Sequence, residues 1–214
     1  MKPRATGDNY DKIATWWQTQ HKGSKYGVSA IKTALNLSIP RKNTMTSSTQ
    51  HADLQNGSIA LDVGCGSGGR LISLVESYGY KITGVDVSKK MIELAQQEHP
   101  NHTFLNEDVC TWQCEQHFDF IFAWDSLFHL PLSEQPLVLN KLCSMLKGNG
   151  TICYTFGDDV GEHEDEWRGE RFSYSSIGIG ENIALLMNNG LTIMHLELDQ
   201  YPEKHVFVVA SKRT

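Results

Sequence analysis

No stretch of this 214-residue chain approaches the roughly 20 consecutive apolar residues that a membrane span needs. The opening MKPRATGDNY has basic residues but no apolar run behind them, so it does not read as a secretory leader. Positive charge is scarce as well. The 19 Lys and Arg stand against 25 Asp and Glu, the formal net charge is −6, and no basic stripe interrupts the sequence. A protein that tracks nucleic-acid phosphates is therefore not expected. Cysteine is sparse and odd in number: Cys65, Cys110, Cys114, Cys143 and Cys153. That count does not suit a disulfide framework and reads as buried or half-buried thiols in a reducing cytoplasm. Cys110 and Cys114 lie four apart without a second pair, so no metal site is expected there. No internal repeat interrupts the chain.

What is present is the composition of one soluble domain, 40% hydrophobic and 21% charged, long enough for one sizeable core. Asp8 reads as the cap of a short helix over 8–18, with Tyr10, Ile13, Ala14 and Trp17 on one face. Val28, Ile31, Ala34 and Leu35 suggest a second helix, and the polar 38–57 stretch a mobile surface connection. From residue 58 the rhythm changes. Strands are expected at 59–63, 81–87, 102–108, 118–124, 151–156, 191–198 and 204–211. Helices are expected between them, one from Leu71 to Tyr78, one capped by Ser88, one running from Ser133 to Gly148, and one near 180–189. Alternation of this kind implies crossover units and parallel pairing. The YPE-centred link between the last two strands is too short for a crossover, so one strand should be reversed. The expected fold is α/β: a Rossmann-like, seven-stranded, mostly parallel sheet with helices on both faces and one antiparallel C-terminal strand.

The chemistry sits in Leu61-Asp62-Val63-Gly64-Cys65-Gly66-Ser67-Gly68-Gly69-Arg70, where a strand turns into a helix. Such a turn lies at the carboxyl end of the sheet, where open α/β folds bind ligands, and the helix start offers free N–H groups to an anion. Gly64, Gly66 and Gly69 also spell the dinucleotide fingerprint, and Asp86, ending the next strand, suits ribose hydroxyls of either a dinucleotide or another nucleoside.

Four segments in order resemble the class I methyltransferases that use S-adenosylmethionine (SAM). LDVGCGSG resembles that family's first motif, with an acidic residue two before the first glycine; GVDVS resembles the second; NEDV the adenine-binding motif; and FDFIFAWDSLFHL the fourth-strand motif. NYDKIATWW resembles the segment that folds over the cofactor in many small-molecule members. The likeness covers about residues 59–156 well and the rest of the strand order more loosely. It implies SAM as cofactor, held by Tyr10, Trp17, Asp62, Gly64, Cys65, Gly66, Gly68, Asp86, Val87, Asp108, Val109 and Trp124. It also implies methyl transfer to a small molecule by in-line displacement, in a single domain. Residues 1–57 would form the lid and linker and 58–214 the core, with an acceptor-site insertion near 157–180.

Individual residues admit two readings. His129 lies four after Asp125; on one helical turn the pair could take a proton from an acceptor, and the alternative reading is a histidine packed beneath the cofactor or capping the turn. Both are the candidate catalytic residues. Cys65 is a loop filler rather than a nucleophile. The acidic 158–170 segment reads as a solvated or substrate-covering loop, not a metal site, with Trp167, Arg168 and Tyr174 as acceptor-side candidates. A nicotinamide-dependent oxidoreductase and a non-catalytic SAM-binding protein are the competing functions. The expected partner is a small-molecule acceptor, without nucleic acid or membrane, in a cytoplasmic monomer or homodimer.

Overall fold

The computed structural model describes residues 2–38, 57–200, 202 and 204–213. Helices α1 (Pro3–His21) and α2 (Val28–Ser38) precede β1 (Ile59–Val63), α3 (Arg70–Ser77), β2 (Lys81–Asp86), α4 (Lys89–Glu98), β3 (Thr103–Asn106) and β4 (Phe118–Ala123). A 3-10 turn (Leu127–His129) leads to α5 (Gln135–Ser144) and β5 (Leu146–Gly157). A hairpin of β6 (Val160–Trp167) and β7 (Glu170–Ile177) follows, then α6 (Gly178–Asn188), β8 (Leu191–Asp199) and β9 (His205–Lys212).

The main sheet has seven strands in the order β3-β2-β1-β4-β5-β9-β8. β1 pairs parallel with β2 and β4, β2 with β3, and β4 with β5; β9 runs antiparallel to both β5 and β8. One reversed strand inserted between two that run the same way is the expected outcome of the short β8–β9 link. Strand alternation divides the core in two. Leu61, Val63, Ile121, Ile152, Tyr154, Val206 and Val208 pack against α5 and α6. Ala60, Phe120, Phe122, Cys153, Phe207 and Val209 pack against α2, α3 and α4. Neighbours in one strand point to opposite faces, so strands such as VFVVA must be apolar throughout.

Several boundaries differ from the sequence expectation. α1 begins at Pro3, not after Asp8, because a proline in the first turn forfeits no helical hydrogen bond and Thr6 and Gly7 are already buried. The helix expected from Ser133 to Gly148 ends at Ser144; Leu146 already pairs with Phe118 in the sheet. The acidic segment is not a loop. Residues 160–167 pair antiparallel with 170–177, closed by Arg168 and Gly169, both at positive φ (56° and 78°), a two-residue turn suited to a hairpin. The 38–57 connection lies outside the described residues except for its two ends. No described helix is long and apolar enough to cross a membrane.

Candidate functional site

A cavity of about 890 Å³ opens at the carboxyl ends of β1, β2 and β4 and takes in every candidate site residue: Tyr10, Trp17, Asp62, Gly64, Cys65, Gly66, Gly68, Asp86, Val87, Asp108, Val109, Trp124, Asp125 and His129. Its floor is the glycine turn. Gly64 N–H donates to the Val85 carbonyl at 2.8 Å, which ties the turn to β2. A Cβ on Gly64 would strike Ser126 Cβ at 2.2 Å. Gly66, at φ 53°, has only Trp17 Nε1 near its missing side chain, at 4.0 Å, so bare backbone faces the indole of α1.

Two carboxylates lie within this floor. Asp62 is 5% exposed, and burial together with the neighbouring Asp86 charge pushes its pKa well above the ordinary carboxylate range. No described group donates a hydrogen bond to its side chain. Asp86 accepts from Gly66 N–H and Ser88 N–H, both at 2.8 Å. Desolvation outweighs those bonds and raises it to about 6. Each of its oxygens retains a second lone pair for a ligand. Farther along, Asp108 accepts from Cys110 N–H at 2.9 Å and so fixes the turn after β3.

Above the floor lies α1. Tyr10 OH meets His129 Nε2 at 2.9 Å, while His129 Nδ1 faces the Ser173 carbonyl at 3.0 Å. A carbonyl accepts only, so Nδ1 carries the proton and Nε2 receives the Tyr10 hydroxyl. Burial drives the imidazole down to about 4 and the Tyr10 phenol upward, so both are neutral near pH 7. Asp125 and His129 do not share a helical turn. Asp125 stands outside the 3-10 turn at φ 53°, and its Oδ1 accepts from His205 Nε2 at 2.8 Å. Its backbone N–H donates to Thr155 Oγ1 at 2.8 Å. Trp124 is buried, and its indole N–H has no hydrogen-bond partner among the described residues. Cys65 is buried with its thiol pKa raised by desolvation, unsuited to nucleophilic attack.

Trp167, Arg168 and Tyr174 are not among the lining residues. Trp167 packs against Trp16 and Trp17, Arg168 lies over the Trp16 ring at 3.9 Å, and Tyr174 stacks on His163. The sequence reading passed over Trp16, Arg70, His99 and His205. Arg70 lines the cavity and donates through Nε to the Tyr26 carbonyl at 2.5 Å. Only its place directly after the glycine turn could have signalled it. The cysteines are unpaired, and no group of three or more His, Cys, Asp or Glu among the described residues could hold a metal.

Residues 60–150, which hold the glycine turn, Asp86 and Asp108, match the methyltransferase domain family. Over this stretch the chain is similar to methyltransferase domains. Its sequence relatives include a phosphoethanolamine N-methyltransferase of Plasmodium falciparum, 28% identical over 126 residues covering 57% of this chain and 47% of that protein. A trans-aconitate 2-methyltransferase of Enterobacter is 36% identical over 110 residues, 51% of this chain and 43% of that one. The chain thus spans less than half the length of these curated relatives. Among solved structures, magnesium protoporphyrin IX methyltransferase from Synechocystis with bound SAM superposes with a TM-score of 0.69 at 17% identity, covering 100% of this chain and 98% of that one. The fold of the chain is the Rossmann-like fold of that solved structure.

Proposed function

We propose that this protein is a SAM-dependent methyltransferase that methylates a small-molecule acceptor in the cytoplasm. The observation that carries the reading is the pair of carboxylates, buried Asp62 and half-buried Asp86, in one large cavity floored by bare glycine backbone. Asp62, pushed up by burial and by the Asp86 charge, and Asp86, pushed up by desolvation, are stabilised by a cation and hydrogen-bond donors. SAM carries both, as an ammonium and ribose hydroxyls, so the residues present fit it.

In this assignment Asp62 faces the ammonium, Asp86 accepts from the ribose, Asp108 and the Val109 N–H read the adenine edge, and Val87 and Trp124 pack beside the nucleoside. When bound, SAM supplies an electrophilic methyl group on a sulfonium. The protein holds donor and acceptor in line and excludes water. Tyr10 and Trp17 form the roof, and the Tyr10–His129 bond latches it. Asp125 and His129 stay the candidate groups on the acceptor side. Asp125 has its carboxylate already oriented by His205, and His129 is neutral and a weak base in the latched geometry. The acidic net charge disfavours nucleic acid, the unpaired thiols suit a reducing compartment, and the expected assembly is a monomer or homodimer.

Calorimetry with SAM and with S-adenosylhomocysteine, set beside NADH, tests the cofactor. A screen of cell extract with radiolabelled SAM, followed by mass spectrometry of the labelled product, tests the reaction. Trans-aconitate and phosphoethanolamine are the first pure acceptors to include. NADH binding in place of SAM would overturn the reading. SAM binding with no labelled metabolite would replace it by a non-catalytic cofactor-binding one.

A further inference from the structure

The glycine turn leans on a histidine that belongs to none of the motifs. His99 is the residue that closes α4, and it is 8% exposed. Its Nε2 accepts the Gly69 N–H at 3.2 Å, and its Cδ2 lies 2.9 Å from where a Cβ on Gly68 would stand. Gly69 is the N-cap of α3, so this ring supports the last two glycines of the turn, which line the cavity together with Gly64 and Gly66.

We propose that His99 is a positioning residue for the cofactor loop: its unprotonated Nε2 holds Gly68 and Gly69 in the binding conformation, and protonation releases them. A lone pair on Nε2 is the only feature of the ring that can receive an amide N–H. Once Nε2 carries a proton, two N–H groups face each other at the positive end of α3, and the hydrogen bond is replaced by repulsion. The charged groups around the ring are few. Glu76 of α3 lies 3.9 Å from Nδ1. The His102 ring stacks on the His99 ring at 6.1 Å. Glu98 on the same helix is engaged by Gln18 of α1. Asp86, on the far side of the turn, titrates in its own right and must be separated from His99 in any experiment.

The inference rests on the SAM reading, and the two can fail separately. The experiment is calorimetry of S-adenosylhomocysteine binding between pH 8 and pH 5.5 on the wild type, His99→Gln and His99→Leu, with thermal melts as the folding check. Glutamine offers an acceptor oxygen near Nε2 that does not titrate. At pH 8 wild type and His99→Gln should bind alike and His99→Leu about fivefold more weakly, the worth of one neutral hydrogen bond. At pH 5.5 the wild type should have lost about fivefold more affinity than His99→Gln, whose remaining loss belongs to Asp86. Parallel losses in those two proteins, or a His99→Leu as tight as wild type, overturn the inference and leave the cofactor assignment standing. Absence of binding by the wild type at every pH overturns both. Should the variants not fold, the wild type alone decides by NMR. The Gly69 amide resonance must move with the same midpoint as the His99 imidazole, and a Gly69 signal indifferent to that titration overturns the inference.

Discussion

At the scale of single residues, Asp86 does two tasks with one carboxylate. It ties the glycine turn to the start of α4 through Gly66 and Ser88, and it presents its remaining lone pairs to the cavity. Asp86→Ala removes both, and SAM affinity should fall more than about tenfold, since each hydrogen bond to a charged acceptor is worth about 1.5–3 kcal/mol. Calorimetry on the folded variant checks this, and unchanged affinity would remove the ribose assignment. Because burial places Asp86 at about 6, wild-type affinity should also weaken as pH falls through that value, when the acceptor oxygens are protonated. His129 gives a prediction of different kind. Its folded pKa of about 4 lies below the ordinary 6.5, so the unfolded chain takes up a proton that the native state excludes. The stability this excess represents is present above pH 6.5 and lost as pH falls toward 4. The thermal midpoint should therefore decline across that window in the wild type, and less steeply in His129→Asn. Equal slopes would mean that His129 titrates as if exposed.

At the scale of elements, the parts legible in the sequence were those with one dominant signal. Apolar runs bounded by turn residues marked the strands, and Ser88, whose side chain does accept the Met91 N–H at 3.1 Å, marked the start of α4. The β6–β7 hairpin was illegible because VGEHEDEW is exposed along nearly its whole length, so no alternation of burial shows in its residues. Its partner ERFSYSSI has the buried positions, Phe172 and Ser175 to Ile177, but the sequence reading assigned 171–177 no element. The Asp125–His129 spacing was legible and misleading. A left-handed residue between the strand and the turn breaks the helical periodicity on which it depended. The candidate site residues line one cavity because all but Tyr10, Trp17 and His129 sit at strand ends or in the turns beside them, where chain order fixes their positions. α1 is the element whose behaviour the sequence only hints at. If it is the lid, amide exchange across 8–20 should slow when S-adenosylhomocysteine is added, with less change in β8 and β9. Identical exchange with and without ligand would show α1 to be permanent core.

At the scale of the whole molecule, α1 is a beam held at two edges. On the cofactor side, Asp11 Oδ1 accepts from Ser88 Oγ at 2.5 Å and Lys90 N–H at 2.9 Å. Gly7 there lies so close to the Val87 carbonyl that a Cβ would stand 2.5 Å from its oxygen. On the other edge the hairpin tip holds it: Asn9 Nδ2 donates to the Arg171 carbonyl at 2.8 Å, Arg168 covers Trp16, and Trp167 packs on Trp16 and Trp17 at 5.2 and 5.8 Å. The hairpin is anchored in turn, since Gln135 Nε2 of α5 donates to the Ser175 carbonyl at 2.8 Å. The roof over the cavity is thus fastened through the hairpin to the opposite face of the sheet. The contacts are unequal. The Lys12–Glu170 ion pair at 2.7 Å has a lysine 57% exposed, and screened pairs of this kind contribute little. The half-buried aromatic contacts at Trp167 contribute more. Trp167→Ala should therefore speed dissociation of S-adenosylhomocysteine by about tenfold with little change in association, because loosening a formed complex acts mainly on its lifetime. Lys12→Ala should leave both rates near wild type. Stopped-flow tryptophan fluorescence reads both rates. A Trp167→Ala complex that lives as long as the wild type's would show that the hairpin merely covers α1, and that the cofactor-side contacts through Asp11 and Gly7 hold the roof alone.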